Sequence, residues 1–177
     1  MPRVSAAIIA EQEDIRHIYE AWVVTTGTGR NILTDDIRWK TSIHIITREC
    51  FIYPVVERVL GIEAVKERIR ELDQYIDEAS RQVKPEAYPF VEKLWATLPA
   101  HFNAMENVHL PALEAKLDDK DSERLFGIID RIRVTWVGNL ATPWNERYHI
   151  FKNGGHMLDT PVERMRELFS PYLPKDE

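Results

Sequence analysis

The chain has 177 residues, of which 29 are acidic and 23 basic, for a formal net charge of −6 with 44% hydrophobic residues. It is long enough for one domain with its own core, and its acidity excludes a general nucleic-acid or anionic-membrane binder, which needs a basic face to release counterions. The single cysteine, Cys50, excludes an intramolecular disulfide and a thiolate zinc site. No apolar run approaches the roughly 20 residues needed to span a bilayer. The expectation is one cytoplasmic domain over residues 1–177, with neither nucleic acid nor membrane as partner.

From Ser5 to about Val24, Ile8, Gln12, Ile15, Tyr19 and Trp22 recur at helical spacing, which predicts a helix with one amide in its apolar face. "TTGTGRN" then breaks it with two glycines. Thr34 has the character of an N-cap, with Asp35 and Asp36 favouring the dipole in the first turn, and Gly61 stops the helix that follows; Pro54 should bend that helix without ending it. Ile62, Val65, Ile69, Leu72, Ile76 and Val83 follow a near-heptad seam, closed by Pro85 and Pro89.

A fourth long helix is expected from about Pro89 to Leu117, kinked near Pro99 and Pro111. The charged "DDKDSER" reads as a turn, "LFGIIDRIRVTW" as a further helix, and "NLATPWNERYHIFKNGGHMLD" as irregular. In "TPVERMRELFSPYL", Thr160 as N-cap, Pro161 at the first helical position and Glu163 complete a capping box. No useful strand alternation occurs, so the predicted fold is all-α: a four-helix bundle with one or two C-terminal helices outside it.

Two of these helices carry copies of one pattern. "HIITRECFIYP", starting at His44, and "HFNAMENVHLP", starting at His101, align His with His, Glu49 with Glu106, Pro54 with Pro111, Val56 with Leu113 and Glu57 with Glu114. Such a repeat points to similar helices around a shared interior. At about 100° per residue, positions three, four, seven and eleven after each histidine share its face, while the fifth lies about 140° away. His44 should therefore share its face with Thr47, Arg48, Phe51 and Val55, and His101 with Ala104, Met105, Val108 and Ala112; Glu49 and Glu106 should point elsewhere.

The two histidine-to-proline frames, the closing "PVERMRELFSPYLPK" and the "TPW" before it resemble the hemerythrin-like HHE domain over nearly the whole chain, especially its fungal-type branch. The resemblance implies a four-helix bundle holding two irons through histidines and carboxylates. Carried over by position, most of that ligand set is substituted. The first-helix histidine position reads Gln12; His44 is kept, but the carboxylate position four residues on reads Arg48. The third-helix histidine position reads Asp73; His101 is kept, its carboxylate position reads Met105, and the last-helix position reads Asn139.

Arg48 would place a cation where an iron pair should sit, which argues against oxygen carrying and for a protein with neither metal nor other cofactor. Buried polar groups need partners, so an ion pair between Arg48 and Asp73 is expected, with the amides and imidazoles satisfying the remainder. His44 or His101 would be the general base, Asp73 an orienting group and Arg48 the stabiliser of developing negative charge, with Gln12, Asn139, Met105, Trp136 and Trp144 around a small-molecule substrate. Other candidates are weaker. His17 reads as a surface residue, His109, His149 and His156 lack partners at ligand spacing, Cys50 reads as an inert thiol, and Trp22, Trp39 and Trp95 read as packing.

Three classes compete. One is a metal-independent enzyme of isomerase, cyclase or lyase type acting by proton transfer on a small, largely apolar molecule, for instance in secondary metabolism. The others are a non-catalytic binding or scaffold protein, in which a former metal site has become a hydrogen-bonded network, and a protein with a reduced mononuclear iron site on His44, His101 and Asp73. The first is favoured because the substituted positions are polar and varied. The oligomeric state is open, since periodicity does not separate a core face from an interface.

Overall fold

The computed structural model describes residues 2–63, 65–67, 88–134 and 157–172, and all regular structure among them is helical. Helix α1 spans Val4–Val24 and α2 spans Gly27–Thr47. A π-helical turn, Arg48–Ile52, continues α2 into α3, Tyr53–Leu60. The second repeat is built the same way: α4 is Tyr88–Ala104, a π-helical turn covers Met105–His109, and α5 is Leu110–Glu114. Helix α6 is Asp119–Ile132 and α7 is Val162–Phe169. The chain is an all-α helical bundle, as its patterning implies.

The centre of the bundle is the second half of α2, where every residue from Thr41 to Arg48 is buried. A helix buried on all sides must be enclosed by neighbours. Helix α1 packs along it with Val4, Ala7, Ile8, Ile15 and Trp22 inside, and α6, whose Ile128, Ile129 and Ile132 are buried, packs on α1. Helix α7 covers the first π turn, with Phe169 against Phe51 at 5.9 Å between ring centroids.

The repeat explains both π turns. Proline has no N–H to give the carbonyl four residues back. Before Pro54 the carbonyl of Cys50 accepts instead from Arg166 Nε at 3.1 Å, and Tyr53 N–H reaches back to the carbonyl of Arg48. Before Pro111, Leu110 N–H makes the matching bond to Met105. Each wide turn shifts the inward face beyond it. Ile52 and Val56 are buried while Phe51 and Val55 are only partly so, and Leu110 and Leu113 are buried while Val108 and Ala112 are exposed. The expectation from a straight helix therefore fails beyond the turn in the second copy, while in the first Phe51 and Val55 stay partly buried against the core.

Three local expectations are also corrected. Thr34 is no cap: α2 already starts at Gly27, whose φ of +61° suits glycine, and the Thr34 hydroxyl donates to Arg30 O and accepts from Trp22 Nε1, each at 2.8 Å. "DDKDSER" is largely the first turn of α6, with Asp118 accepting from Asp121 N–H at 2.7 Å. Helix α7 begins at Val162 with Pro161 in the cap position, one residue later than the start expected from a cap at Thr160. Gly61 stops α3 as expected, with φ +99°.

The start of α1 is capped from elsewhere in the chain. Arg3 at its N-cap makes no side-chain capping bond, yet Ser5 N–H donates to Glu114 Oε1 and Val4 N–H to Ser122 Oγ, both at 3.0 Å. Burial pushes the Glu114 carboxyl up, but bonds from Ser5, Arg3 and Ser122 outweigh it and hold it below its ordinary value. Glu114→Gln should cost about 1–2 kcal/mol in urea unfolding near neutral pH. The sign follows from the lowered value: the contribution is present above the unfolded carboxyl's titration and is lost as pH falls through the folded one. The difference between the two proteins should accordingly shrink in acid.

Candidate functional site

Helix α1 places two polar side chains in its apolar stripe, Glu11 and Gln12, which are 5% and 0% exposed. Facing them, α2 supplies His44 and the first π turn supplies Arg48, each 1% exposed. His44 Nδ1 lies 3.2 Å from Glu11 Oε2, and Arg48 Nη2 lies 3.9 Å from the same oxygen. Arg48 Nη1 donates to the carbonyl of His44 at 2.6 Å. From α4, His101 meets His44 edge-on, with ring centroids 6.3 Å apart, and Phe102 packs against His44 at 5.4 Å.

Burial dominates the electrostatics here. It pushes the Glu11 carboxyl up to about 7, against the pull of Arg48 and Arg133. It holds the His44 imidazole well below its ordinary range, helped by the charge of Arg48 and by His101 and Arg16. The Arg48 guanidinium is drawn down to about 10 by the same burial, so it stays charged at neutral pH. At about 4 Å, an ion pair in a medium of effective dielectric near 20 gains about 4 kcal/mol. Withdrawing both ions from water costs several kcal/mol each. The attraction does not cover both costs, and the Glu11 carboxyl titrates at about 7 instead of in the ordinary carboxylate range.

Of the residues singled out in the sequence, His44, Arg48 and His101 come together, with Gln12 beside Glu11 on α1 and Met105, buried, one turn beyond His101. Asp73, Asn139, Trp136 and Trp144 lie outside the described residues, as do His149, His156 and the expected Arg48 pair with Asp73. Among the described residues the acid beside Arg48 is Glu11, which the sequence reading missed. Its signal was present: Ile8, Glu11, Ile15, Ile18 and Trp22 keep the same three-four spacing that singled out Gln12. His17 is exposed, and the Cys50 thiol is pushed by burial up to about 12, which suits an unreactive group. Trp22 and Trp39 are buried, and Trp95 stacks on Tyr19 at 3.7 Å.

Glu11 also reaches a small cleft lined by Asp14, Lys40, Ile43 and Arg133. Arg133 is held there by Asp14 at 3.3 Å and Asp130 at 2.9 Å.

A di-iron centre needs several carboxylates and imidazoles converging on two cations. Among the described residues no group of three His, Cys, Asp or Glu side chains is placed to hold a metal ion, and a charged guanidinium lies against Glu11. These donors do not fit an iron pair.

Fold and site together define an all-helical bundle with a charged, polar centre, and no helix among the described residues is long and apolar enough to cross a membrane. Over 184 residues the chain is 22% identical to an uncharacterized hemerythrin-like protein of Schizosaccharomyces pombe, an alignment covering 97% of this chain and 89% of that protein. No family model matches the chain, and no solved structure matches it.

Proposed function

We propose that this is a hemerythrin-like protein of the fungal-type branch whose substituted metal positions serve metal-independent proton transfer, such as isomerisation, cyclisation or elimination, on a small and largely apolar molecule in the cytoplasm, for instance in secondary metabolism. The observation that carries it is the Glu11 carboxyl: buried, pushed up to about 7, and hydrogen-bonded to an imidazole held neutral. A group that titrates near the working pH exchanges a proton in either direction at least cost. Glu11 would take the proton, His44 would orient the carboxyl, His101 would serve as the second acid-base group, and Arg48 would stabilise the negative charge that develops. Asp73 would orient an imidazole, and Gln12, Met105, Asn139, Trp136 and Trp144 would position the substrate.

The test needs no product in hand. Small ketones and unsaturated carbonyl compounds are incubated with protein in D2O, and exchange of the proton next to the carbonyl is followed by NMR. Glu11→Gln should slow enzyme-dependent exchange roughly 100- to 10,000-fold, the range of a positioned acid-base group. Undiminished exchange in Glu11→Gln would remove Glu11 from catalysis, and full exchange in both His44→Ala and His101→Ala would remove the imidazoles. Exchange at background throughout would leave a binding or scaffold role, and stoichiometric iron on elemental analysis would favour a mononuclear iron site instead.

A further inference from the structure

We propose that the Nε–Nη2 edge of Arg48 is a receptor for a small organic monocarboxylate, seated in the polar centre of the bundle beside Glu11. A guanidinium presents its donors in a rigid fork, and the Nε–Nη2 edge matches the two oxygens of a carboxylate. In this protein Nη1 is occupied by the His44 carbonyl at 2.6 Å. Nε and Nη2 have no hydrogen-bond partner among the described residues, although the side chain is only 1% exposed. The nearest described carboxylate does not serve them: Glu11 Oε2 stands 3.9 Å from Nη2, and the same oxygen lies within hydrogen-bonding reach of His44 Nδ1.

Arg48 is not alone. Glu11 Oε1, His44 Nε2, Thr47 Oγ1 and both amide atoms of Gln12 are buried with no hydrogen-bond partner among the described residues. Each such atom costs about 1–3 kcal/mol if nothing serves it. Native interiors rarely carry several together without a ligand or water to satisfy them. The chemistry of the set selects the ligand. A fixed cation beside a carboxyl that carries a proton near neutrality suits one negative charge, whereas a phosphate dianion would ask for further cations around Arg48. Phe102, buried against His44, offers an apolar surface to the remainder of the molecule. Glu11 also lines a small cleft with Lys40, Ile43 and Arg133, two of them cationic.

The inference names a substrate class for the site proposed above and rests on that reading for turnover, while binding stands without it. Isothermal titration with butyrate, and with butyramide as the uncharged isostere, tests it. Wild-type protein should bind butyrate saturably and butyramide at least tenfold more weakly. Arg48→Lys keeps the charge and removes the fork, and should weaken butyrate at least tenfold. Should Arg48→Lys fail to fold, the Arg48 Nε–H resonance of 15N-labelled wild-type protein should move with butyrate and stay in place with butyramide. Equal binding of the two probes, undiminished binding in Arg48→Lys, or no butyrate binding at all would overturn the proposal, the last meaning that water serves these atoms. Butyrate binding without proton exchange on any substrate would sink the catalytic reading and leave the carboxylate site standing; exchange of uncharged substrates without butyrate binding would do the reverse.

Discussion

Glu11→Gln should make the folded protein more acid-sensitive than wild type, and His44→Asn should make it more sensitive to alkali, although each removes half of the same hydrogen-bonded pair. In the unfolded chain the two groups titrate at their ordinary values of 4.5 and 6.5, so between these pH values the pair holds one proton, on the imidazole. In the folded protein the pair again holds one proton, now on a carboxyl that titrates at about 7, because the imidazole is held neutral. Equal proton counts mean no contribution to the slope of stability with pH. Without Glu11, the unfolded chain alone gains a proton below 6.5, and stability falls on acidification by up to about 1.4 kcal/mol per pH unit. Without His44, the folded chain alone keeps a proton above 4.5. Stability is then full below that value and is lost as pH rises through about 7, by on the order of 3 kcal/mol in total. Urea unfolding from about pH 4.5 to 8, read as the difference from wild type, shows both slopes, and the double variant should be flat. Single variants as flat as wild type would mean the proton is not shared in this way.

The fold was legible because its signals are local. The three-four apolar spacing of α1, the stop at Gly61 and the histidine-to-proline repeat all survive translation into contacts. The π turns were not legible as such, since an extra residue per turn leaves no mark on composition. Only Pro54 and Pro111 hint at them, by removing an N–H from the preceding turn, and the consequence is that the inward face beyond each turn is Ile52 and Val56, or Leu110 and Leu113. The candidate site was half legible. The repeat singled out His44, Arg48 and His101, which do converge. Glu11 escaped because an apolar stripe admits two neighbouring phases, and Gln12, which occupies a family ligand position, took the attention that the adjacent carboxylate also required. Both side chains are in fact inside.

Arg48→Met tests whether the charge at the centre is held by its partner or merely tolerated. Methionine fills a comparable volume without a charge, and replacing a buried ion by a well-packed apolar group can be close to neutral when its partner is also neutral. That condition is met in acid. Near pH 5 the Glu11 carboxyl is protonated, so the substitution removes an uncompensated cation and one bond to the His44 carbonyl, two effects of opposite sign. Near pH 8.5 the wild-type carboxyl is ionised beside Arg48. In the variant, loss of that positive charge drives its titration further up from about 7, and the group must stay protonated or remain buried as a lone anion. The linkage gives about 1.4 kcal/mol per pH unit above 7, so Arg48→Met should be about 2 kcal/mol more destabilising at pH 8.5 than at pH 5. Urea unfolding at the two pH values measures that difference directly. The same loss at both would show that Arg48 acts through its bond to the His44 carbonyl and its packing, with no coupling to Glu11; a larger loss in acid would contradict the assignment of the proton to the carboxyl.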